Sequence, residues 1–280
     1  MTDYLKLTTD YHDTGIASAF DELSFWSSRF GHLLFDHLEI RGHDRILDIG
    51  FGTGFPLFEL ARVFGRTSRI TGLDVWKEGI ERARVKSRVY DLPNVAMVEG
   101  DGARQPFADA SFNLIVSNLG INNFASPLTV LAETFRVAHR GAKIVLTTNL
   151  EGHYEEFYAH YRAVLSELDI EQLPLLLERL SAQEAHRGTK QLVCRQLEDT
   201  GFKVVRTVED KFQMRFLDGS AMLRHSLVRF GFLGGWRSIL PPGEEERVFA
   251  LLEKRLNQSA LQEGELRMTV PMLYVEGEKP

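Results

Sequence analysis

Asp48, Gly50, Gly52 and Gly54 stand at alternate positions in the stretch Arg45-Ile46-Leu47-Asp48-Ile49-Gly50-Phe51-Gly52-Thr53-Gly54, and a second carboxylate, Asp74, follows Gly54 by 20 residues. This spacing suits recognition of a nucleoside. Glycines without a Cβ allow a tight turn whose backbone N–H groups approach a ligand closely. An acidic side chain some way beyond such a turn offers two oxygens at the separation of a ribose diol. A strand-to-helix turn that binds nothing is the alternative reading of one glycine-rich run taken alone. The dinucleotide fingerprint G-x-G-x-x-G is not met, because counting from Gly50 and Gly52 it requires glycine at 55, where Phe55 stands.

The elements that must hold these residues follow from periodicity. Short apolar runs at 45–49, 69–73, 95–98, 112–117 and 142–148 predict strands, and helical spacing at 56–64, 77–90 and 127–138 predicts the connections. Such alternation specifies α/β architecture: a doubly wound, mostly parallel sheet that binds ligands beyond the carboxyl ends of its strands. Asp74, Val75 and Trp76 lie at the second strand end, and Asp101, Gly102 and Ala103 at the third. Val75 and Trp76 present apolar surface to an adenine face, or Trp76 packs beneath helix 77–90. Asp101-Gly102 by itself reads as a turn.

Together these residues resemble class I S-adenosylmethionine-dependent methyltransferases, of the small-molecule kind related to ubiquinone-biosynthesis (type 11) enzymes. Asp48 to Gly54 is similar to their motif I, and Asp74, Asp101 with Gly102, and Pro106 to Ser117 follow in the family's order. The resemblance implies a seven-stranded Rossmann-like sheet and S-adenosylmethionine as cofactor, with S-adenosylhomocysteine as product. It implies that Asp48 orients the turn and approaches the methionine amino group, while Gly50 and Gly52, flanking Phe51, leave room for the carboxylate and sulfur arm. Asp101 would accept from the adenine amino group, with a backbone N–H of Gly102 or Ala103 at a ring nitrogen. Asn118 and Leu119 open the loop that presents the methyl acceptor. One departure is Asn113, where relatives usually carry Asp. The loop 118–124 also lacks the Asn/Asp-Pro-Pro-aromatic run of adenine and glutamine methyltransferases, which speaks against a base or glutamine amide as acceptor.

Residues 1–40 are expected to be an N-terminal helical lid, 41–150 the cofactor-binding core, and 151–280 the rest of the same domain with a helical insertion at about 217–263 before the last strand. Ile16, Phe20, Leu23, Trp26, Phe30, Leu33, Leu34 and Leu38 recur at helical spacing, with a break near Ser27-Ser28. That stripe either packs on the sheet or closes over the site, with Tyr11, Trp26 and Phe30 facing the acceptor. Residues 153–182 predict one long helix or two divided at Pro174, then helix 189–200, a strand from Phe202 toward Phe216, helix 244–257, and a final strand Leu266 to Val275 that is antiparallel. His153, His160 and Asn118 are the candidate catalytic groups, histidine being the better base near neutral pH. Asn122, Tyr154, Phe157, Phe230 and Trp236 are candidates for the acceptor pocket. Phe230 and Trp236 equally suit the core of a dimer contact.

Composition sets the outer limits. The chain has 280 residues, of which 44% are apolar, enough for a large core. Its net charge of −6 argues against a duplex nucleic-acid partner, and its one cysteine, Cys194, cannot form an internal disulfide. The start lacks the pattern of a signal peptide, and no apolar run approaches the ~20 residues that span a bilayer. A cytoplasmic monomer or homodimer acting on a small molecule is expected. The histidines lack metal-ligand spacing, so no metal is expected. Two further classes stay open: another transferase using the same cofactor pocket, and a non-catalytic methyltransferase-like binding subunit.

Overall fold

The computed structural model describes residues 2–6, 9–21, 24–42, 45–170 and 172–280, so Leu23 of the N-terminal stripe lies outside the described residues. The element order is α1 (Thr14–Asp21), α2 (Ser24–His37), β1 (Arg45–Ile49), α3 (Leu57–Phe64), β2 (Arg69–Asp74), α4 (Lys77–Val89), β3 (Val95–Glu99), β4 (Phe112–Asn118), α5 (Pro127–Val137) and β5 (Ala138–Asn149). There follow α6 (Glu155–Glu167), α7 (Leu173–Ala185), α8 (Lys190–Asp199), β6 (Lys203–Phe216), α9 (Gly219–Arg224), α10 (Ser226–Gly231), α11 (Leu233–Arg237), α12 (Glu245–Glu263) and β7 (Leu266–Glu278). The seven strands form one sheet in the order β3-β2-β1-β4-β5-β7-β6. β1 pairs in parallel with both β2 and β4, and β5 pairs with β7 antiparallel.

β1 is central, which explains its composition: Ile46, Leu47, Asp48 and Ile49 are all buried, as a strand covered on both faces requires. The order reverses at β1, whose neighbours are β2 on one side and β4 on the other, so the turn after β1 and the loop after β4 flank the switch point. Gly72 lies in β2 where a Cβ would stand 2.6 Å from the Phe51 ring, so the glycine admits Phe51 into the core.

Several boundaries differ from the sequence reading: α12 runs on to Glu263 rather than 257, β7 to Glu278 rather than Val275, and two others have a packing reason. α2 runs unbroken through Ser27 and Ser28, because its small residues serve close packing: a Cβ at Gly31, one turn beyond Ser27, would collide with the Phe55 ring. The helix expected to end at 138 stops at Val137, and Ala138 already pairs with Phe112. A register shift then separates Phe112↔Ala138 from Leu114↔Lys143, with Gly141 at φ +76° within the extra residues. Pro174 does divide the next helical stretch, since α6 ends at Glu167 and α7 starts at Leu173.

The chain divides into two compact units. One comprises residues 11–149, 189–210 and 272–280; the other comprises 1–10, 150–188 and 211–271. The first contains β1 to β5 with α1 to α5, and α8, whose Thr189 side chain accepts the Leu192 N–H at 3.0 Å as an N-cap. The second holds α6, α7 and α9 to α12 around an aromatic core of Tyr154, Phe157, Tyr161, Trp236 and Phe249, all buried. α12 closes at Gly264, whose φ of +87° is the left-handed helix stop that glycine favours. Among the described residues no helix is long and apolar enough to cross a membrane.

Candidate functional site

The three glycines of the turn after β1 have φ values of +81°, +54° and +113° at Gly50, Gly52 and Gly54, so each adopts backbone that other residues resist. Their surroundings differ. An added Cβ at Gly52 would meet nothing within 4 Å, whereas one at Gly54 would land on the Phe58 ring. Gly54 is therefore a packing glycine and Gly52 an open one. The Gly52 N–H donates to Asp74 Oδ2 at 2.7 Å, and the Trp76 N–H donates to Asp74 Oδ1 at 2.8 Å. The carboxylate at the end of β2 thus clamps the turn at the end of β1 while retaining a second lone pair on each oxygen. Burial raises the Asp74 pKa, against the N–H groups of Trp76, Gly52 and Val75, which favour its charge.

Asp48 is completely buried, and neither side-chain oxygen has a hydrogen-bond partner in bonding geometry among the described residues. Burial lifts its pKa well above the ordinary carboxylate value, and the neighbouring Asp74 charge adds to this; the Leu57 N–H works the other way. An acid raised in the folded state binds its proton more tightly there than in the unfolded chain. Its contribution to stability therefore falls as pH climbs from the ordinary carboxylate range through the raised value. Asp48→Asn should stabilise the ligand-free protein at neutral pH by roughly 1–3 kcal/mol. The gain should shrink as pH falls toward the ordinary carboxylate range, which thermal unfolding across a pH series will show; a pH-independent difference would contradict this origin.

The third strand end forms as a turn. Asp101 Oδ1 accepts the Ala103 N–H at 2.8 Å and caps a single 3-10 turn, Gly102–Arg104. The Ala103 N–H is thereby engaged within the turn, which leaves Gly102 as the better placed of the two backbone donors. Val75 is 66% exposed, so it is the apolar side chain of this rim that faces outward. Trp76 instead packs inward: its Nε1 donates to the Tyr11 carbonyl at 2.7 Å, and the rings of Tyr11 and Phe20 meet it edge-on at 5.9 and 5.5 Å. The missing Cβ of Gly79 makes room for the same indole. Phe51 also turns its ring into the core, at 1% exposure, and offers a ligand only its backbone.

Beyond β4 the chain folds back over the strand ends. Ser117 Oγ donates to the Ile49 carbonyl at 2.7 Å, joining the end of β4 to the end of β1. Leu119 sits at φ +65°, a strained position for a leucine, held by its N–H to the Thr147 carbonyl at 2.8 Å. A Cβ at Gly120 would stand 2.9 Å from the Ile49 carbonyl, and one at Gly50 would stand 3.4 Å from Gly120 Cα. Turn and loop therefore approach each other to within backbone contact. Asn118 Oδ1 accepts from the Thr147 hydroxyl at 2.6 Å, and Asn118 Nδ2 reaches the Ser27 carbonyl of α2 at 3.4 Å. Ser27 and Gly31, on one face of α2, thus meet Asn118 and Phe55, so this helix lies against both loops. Of its aromatic residues, Phe30 is fully buried beside Trp26, ring centroids 5.1 Å apart, while Tyr11, ahead of α1, is 42% exposed.

The unit that contains these residues holds Asp48, Gly50 to Gly54, Asp74 to Trp76, Asp101 to Ala103, Asn118, Leu119, Asn122, Tyr11, Trp26 and Phe30. His153, Tyr154, Phe157, His160, Phe230 and Trp236 belong to the other unit. There His153 is buried, stacked on Tyr154 at 4.2 Å and 5.0 Å from the Phe232 ring. Burial, then the Arg187 charge, push its pKa well below the usual histidine value, which keeps it neutral but makes it a weak proton acceptor. His160 is shifted the same way, chiefly by burial. Trp236 is 1% exposed and enclosed by rings rather than lining an open wall. Residues that sequence reasoning passed over are Ser117, Gly120, Thr147 and Asn149. Their signal was faint, since a polar residue at a strand end reads as a loop boundary.

Residues 47–146 match the family model described as "Methyltransferase domain". A demethylmenaquinone methyltransferase of Oceanobacillus iheyensis is 26% identical over 132 residues, which is 46% of this chain and 56% of that protein. The chain thus spans about half the length of the curated relatives it matches. Among solved structures, a putative methyltransferase of Bacillus halodurans superposes with a TM-score of 0.57 at 17% identity, covering 91% of this chain and 99% of its own. A SAM-dependent methyltransferase of Aquifex aeolicus gives 0.52 at 22% identity, covering 70% and 92%. Glycine turn, strand order and family match converge on residues 47–146, which are similar to the methyltransferase domain of S-adenosylmethionine-dependent enzymes and to that of the demethylmenaquinone methyltransferases.

Proposed function

We propose that this protein is an enzyme that transfers a methyl group from S-adenosylmethionine to a small, largely apolar or aromatic acceptor. The observation that carries the reading is Asp48, a fully buried carboxyl whose oxygens have no hydrogen-bond partner in bonding geometry among the described residues, at the foot of a turn with open space over Gly52. A cationic amino group arriving there would satisfy an acid that the protein alone leaves stranded. These residues fit the cofactor. When bound, S-adenosylmethionine would supply a sulfonium methyl group: the acceptor atom would form the new bond to carbon as the carbon–sulfur bond breaks with its pair left on sulfur, and a protonated acceptor would release its proton to solvent. The chain's own task is position: the acceptor atom must be held at roughly 3 Å behind the methyl carbon.

Asp74 would take the ribose hydroxyls on its remaining lone pairs, Asp101 and the Gly102 N–H the adenine edge, and the backbone of Gly50 to Gly52 the amino-acid arm. Asn118 and Leu119 stand at the acceptor side of the same turn. A ring bearing oxygen substituents is the acceptor class we favour, because the Oceanobacillus relative is named for demethylmenaquinone. Activity as a monomer or homodimer in the cytoplasm is consistent with the single cysteine.

Titration calorimetry with S-adenosylhomocysteine, with NAD as control, tests the assignment. Micromolar binding of the first alone is expected, and a folded protein that binds neither would overturn it. Labelled methyl donor with a panel of quinols and phenols then identifies the acceptor. Asp74→Asn should weaken S-adenosylhomocysteine binding by about 10–100-fold, more than an isosteric change suggests. Both carboxylate oxygens accept backbone N–H groups, and an amide would turn its NH2 against one of them. Equal affinity in calorimetry would remove Asp74 from the site.

A further inference from the structure

Asn149, the last residue of β5, is 1% exposed, and its side chain ends a polar relay. The Thr148 hydroxyl donates to Asn122 Oδ1 at 2.6 Å, and Asn122 Nδ2 donates to Asn149 Oδ1 at 2.5 Å. The Thr148 hydroxyl also lies 3.2 Å from the Asn149 carbonyl, and in this arrangement Asn149 Oδ1 is the end of the amide that faces Asn122. The other end, Nδ2, is buried with no hydrogen-bond partner among the described residues. An enclosed donor without an acceptor destabilises a protein, and such groups mark places where a ligand or water completes the bonding.

The position of this donor is specific. Asn149 and Asn118 close the parallel strands β5 and β4, which pair as Asn118↔Thr147. The loop after β4 is tied back over β5 by the Leu119 N–H to the Thr147 carbonyl and by the Thr147 hydroxyl to Asn118 Oδ1. Open α/β sheets bind their ligands beyond these carboxyl ends. Asn122, with its oxygen and an N–H already engaged, acts on Asn149 and is a positioning residue.

We propose that Asn149 is an acceptor-binding residue, whose Nδ2–H donates to a lone pair of an oxygen substituent, a carbonyl or phenolate, on the molecule that is methylated. The assignment rests on the methyltransfer reading and deepens it by naming the atom type the acceptor must carry. A neutral amide donor imposes no charge on its ligand, so it suits a planar, largely apolar molecule with one or two ring oxygens. It also disfavours a purely hydrocarbon surface or an ammonium, which would leave the donor stranded or face it with like polarity.

The test uses 15N-labelled full-length protein and 1,4-naphthoquinone as probe. The side-chain NH2 resonances of Asn149 are assigned by their loss in Asn149→Asp. On titration with the probe those resonances should shift more than the other side-chain amides, and their hydrogen exchange should slow. Asn149→Asp still accepts from Asn122 but has no donor, and it should bind the probe at least about tenfold more weakly, with S-adenosylhomocysteine affinity within about twofold. Unperturbed Asn149 resonances, or equal probe affinity in the wild type and Asn149→Asp, would overturn the proposal and assign the donor to an internal water. The titration is run with and without S-adenosylhomocysteine. Loss of nucleoside binding, which overturns methyl transfer, is thereby read separately from the fate of Asn149.

Discussion

Trp236→Ala should lower unfolding free energy by roughly 3–5 kcal/mol, the cost of deleting a buried aromatic side chain whose cavity cannot close. The ring stacks on Phe157 at 3.9 Å, faces Phe232 at 5.8 Å and meets Tyr158 edge-on at 6.5 Å. Its Nε1 donates to the Tyr158 hydroxyl at 3.2 Å, and the Trp236 carbonyl accepts from the Tyr161 hydroxyl at 3.0 Å. Truncation therefore leaves both a void and a tyrosine hydroxyl without its donor. From sequence, the same tryptophan reads as a wall of the acceptor pocket or as a dimer contact. The three roles separate in experiment. A core ring costs stability in denaturant titration, a wall raises the acceptor KM in a protein of normal stability, and an interface ring changes the elution volume. Trp236→Phe, which keeps most of the stacking, should recover more than half of the loss.

Gly54→Ala should be of similar consequence in the other unit. Its φ of +113° lies where a Cβ brings strain, and the added methyl would occupy the space of the Phe58 ring, itself 4% exposed at the start of α3. Backbone strain of about 1–3 kcal/mol and overpacking of similar size act together, and the turn cannot relax without moving α3. Thermal unfolding should fall by many degrees, and S-adenosylhomocysteine binding should weaken in the fraction that folds. Gly52→Ala is the informative contrast. Its Cβ would meet no protein atom within 4 Å, so only the φ of +54° opposes it. A small loss of stability with a large loss of nucleoside affinity is expected there if the open space over Gly52 is where the proposed cofactor sits. Equal behaviour of the two variants in both measurements would contradict the division between packing and open glycine.

The backbone of the proposed cofactor site was legible because it is written in local spacing. Three glycines at alternate positions, a carboxylate 20 residues on and an Asp-Gly at the next strand end each follow a short apolar run, and the strands form as read. What that spacing could not convey is direction. Phe51 and Trp76 are adjacent to functional positions in sequence, yet one fills the hollow of Gly72 and the other that of Gly79, contacts set by helices and strands distant in the chain. The acceptor half was less legible. Tyr154, Phe157 and Trp236 have the composition of an apolar pocket and of an aromatic core alike, and only packing separates the two. Asn149 carried no signal, because its significance lies in a relay with Asn122 and Thr148 that forms after the loop beyond β4 folds back. Ser27 and Ser28 were read as a break in a helix, yet the helix is continuous there, and Ser27 and Gly31 lie on the face that approaches the turn.

Asp21, at the end of α1, accepts from Arg82 Nε at 3.1 Å and pairs with Lys86, and Thr53 of the glycine turn also favours its charge. Burial works against its charge, yet Lys86, Thr53 and Arg82 hold its carboxyl below the usual range. The glycine turn is thus adjoined by an ion-pair cluster drawn from outside its own motif. Ions screen such pairs, so the support the cluster lends the turn should weaken as salt is added, and thermal unfolding across a salt series will read that loss.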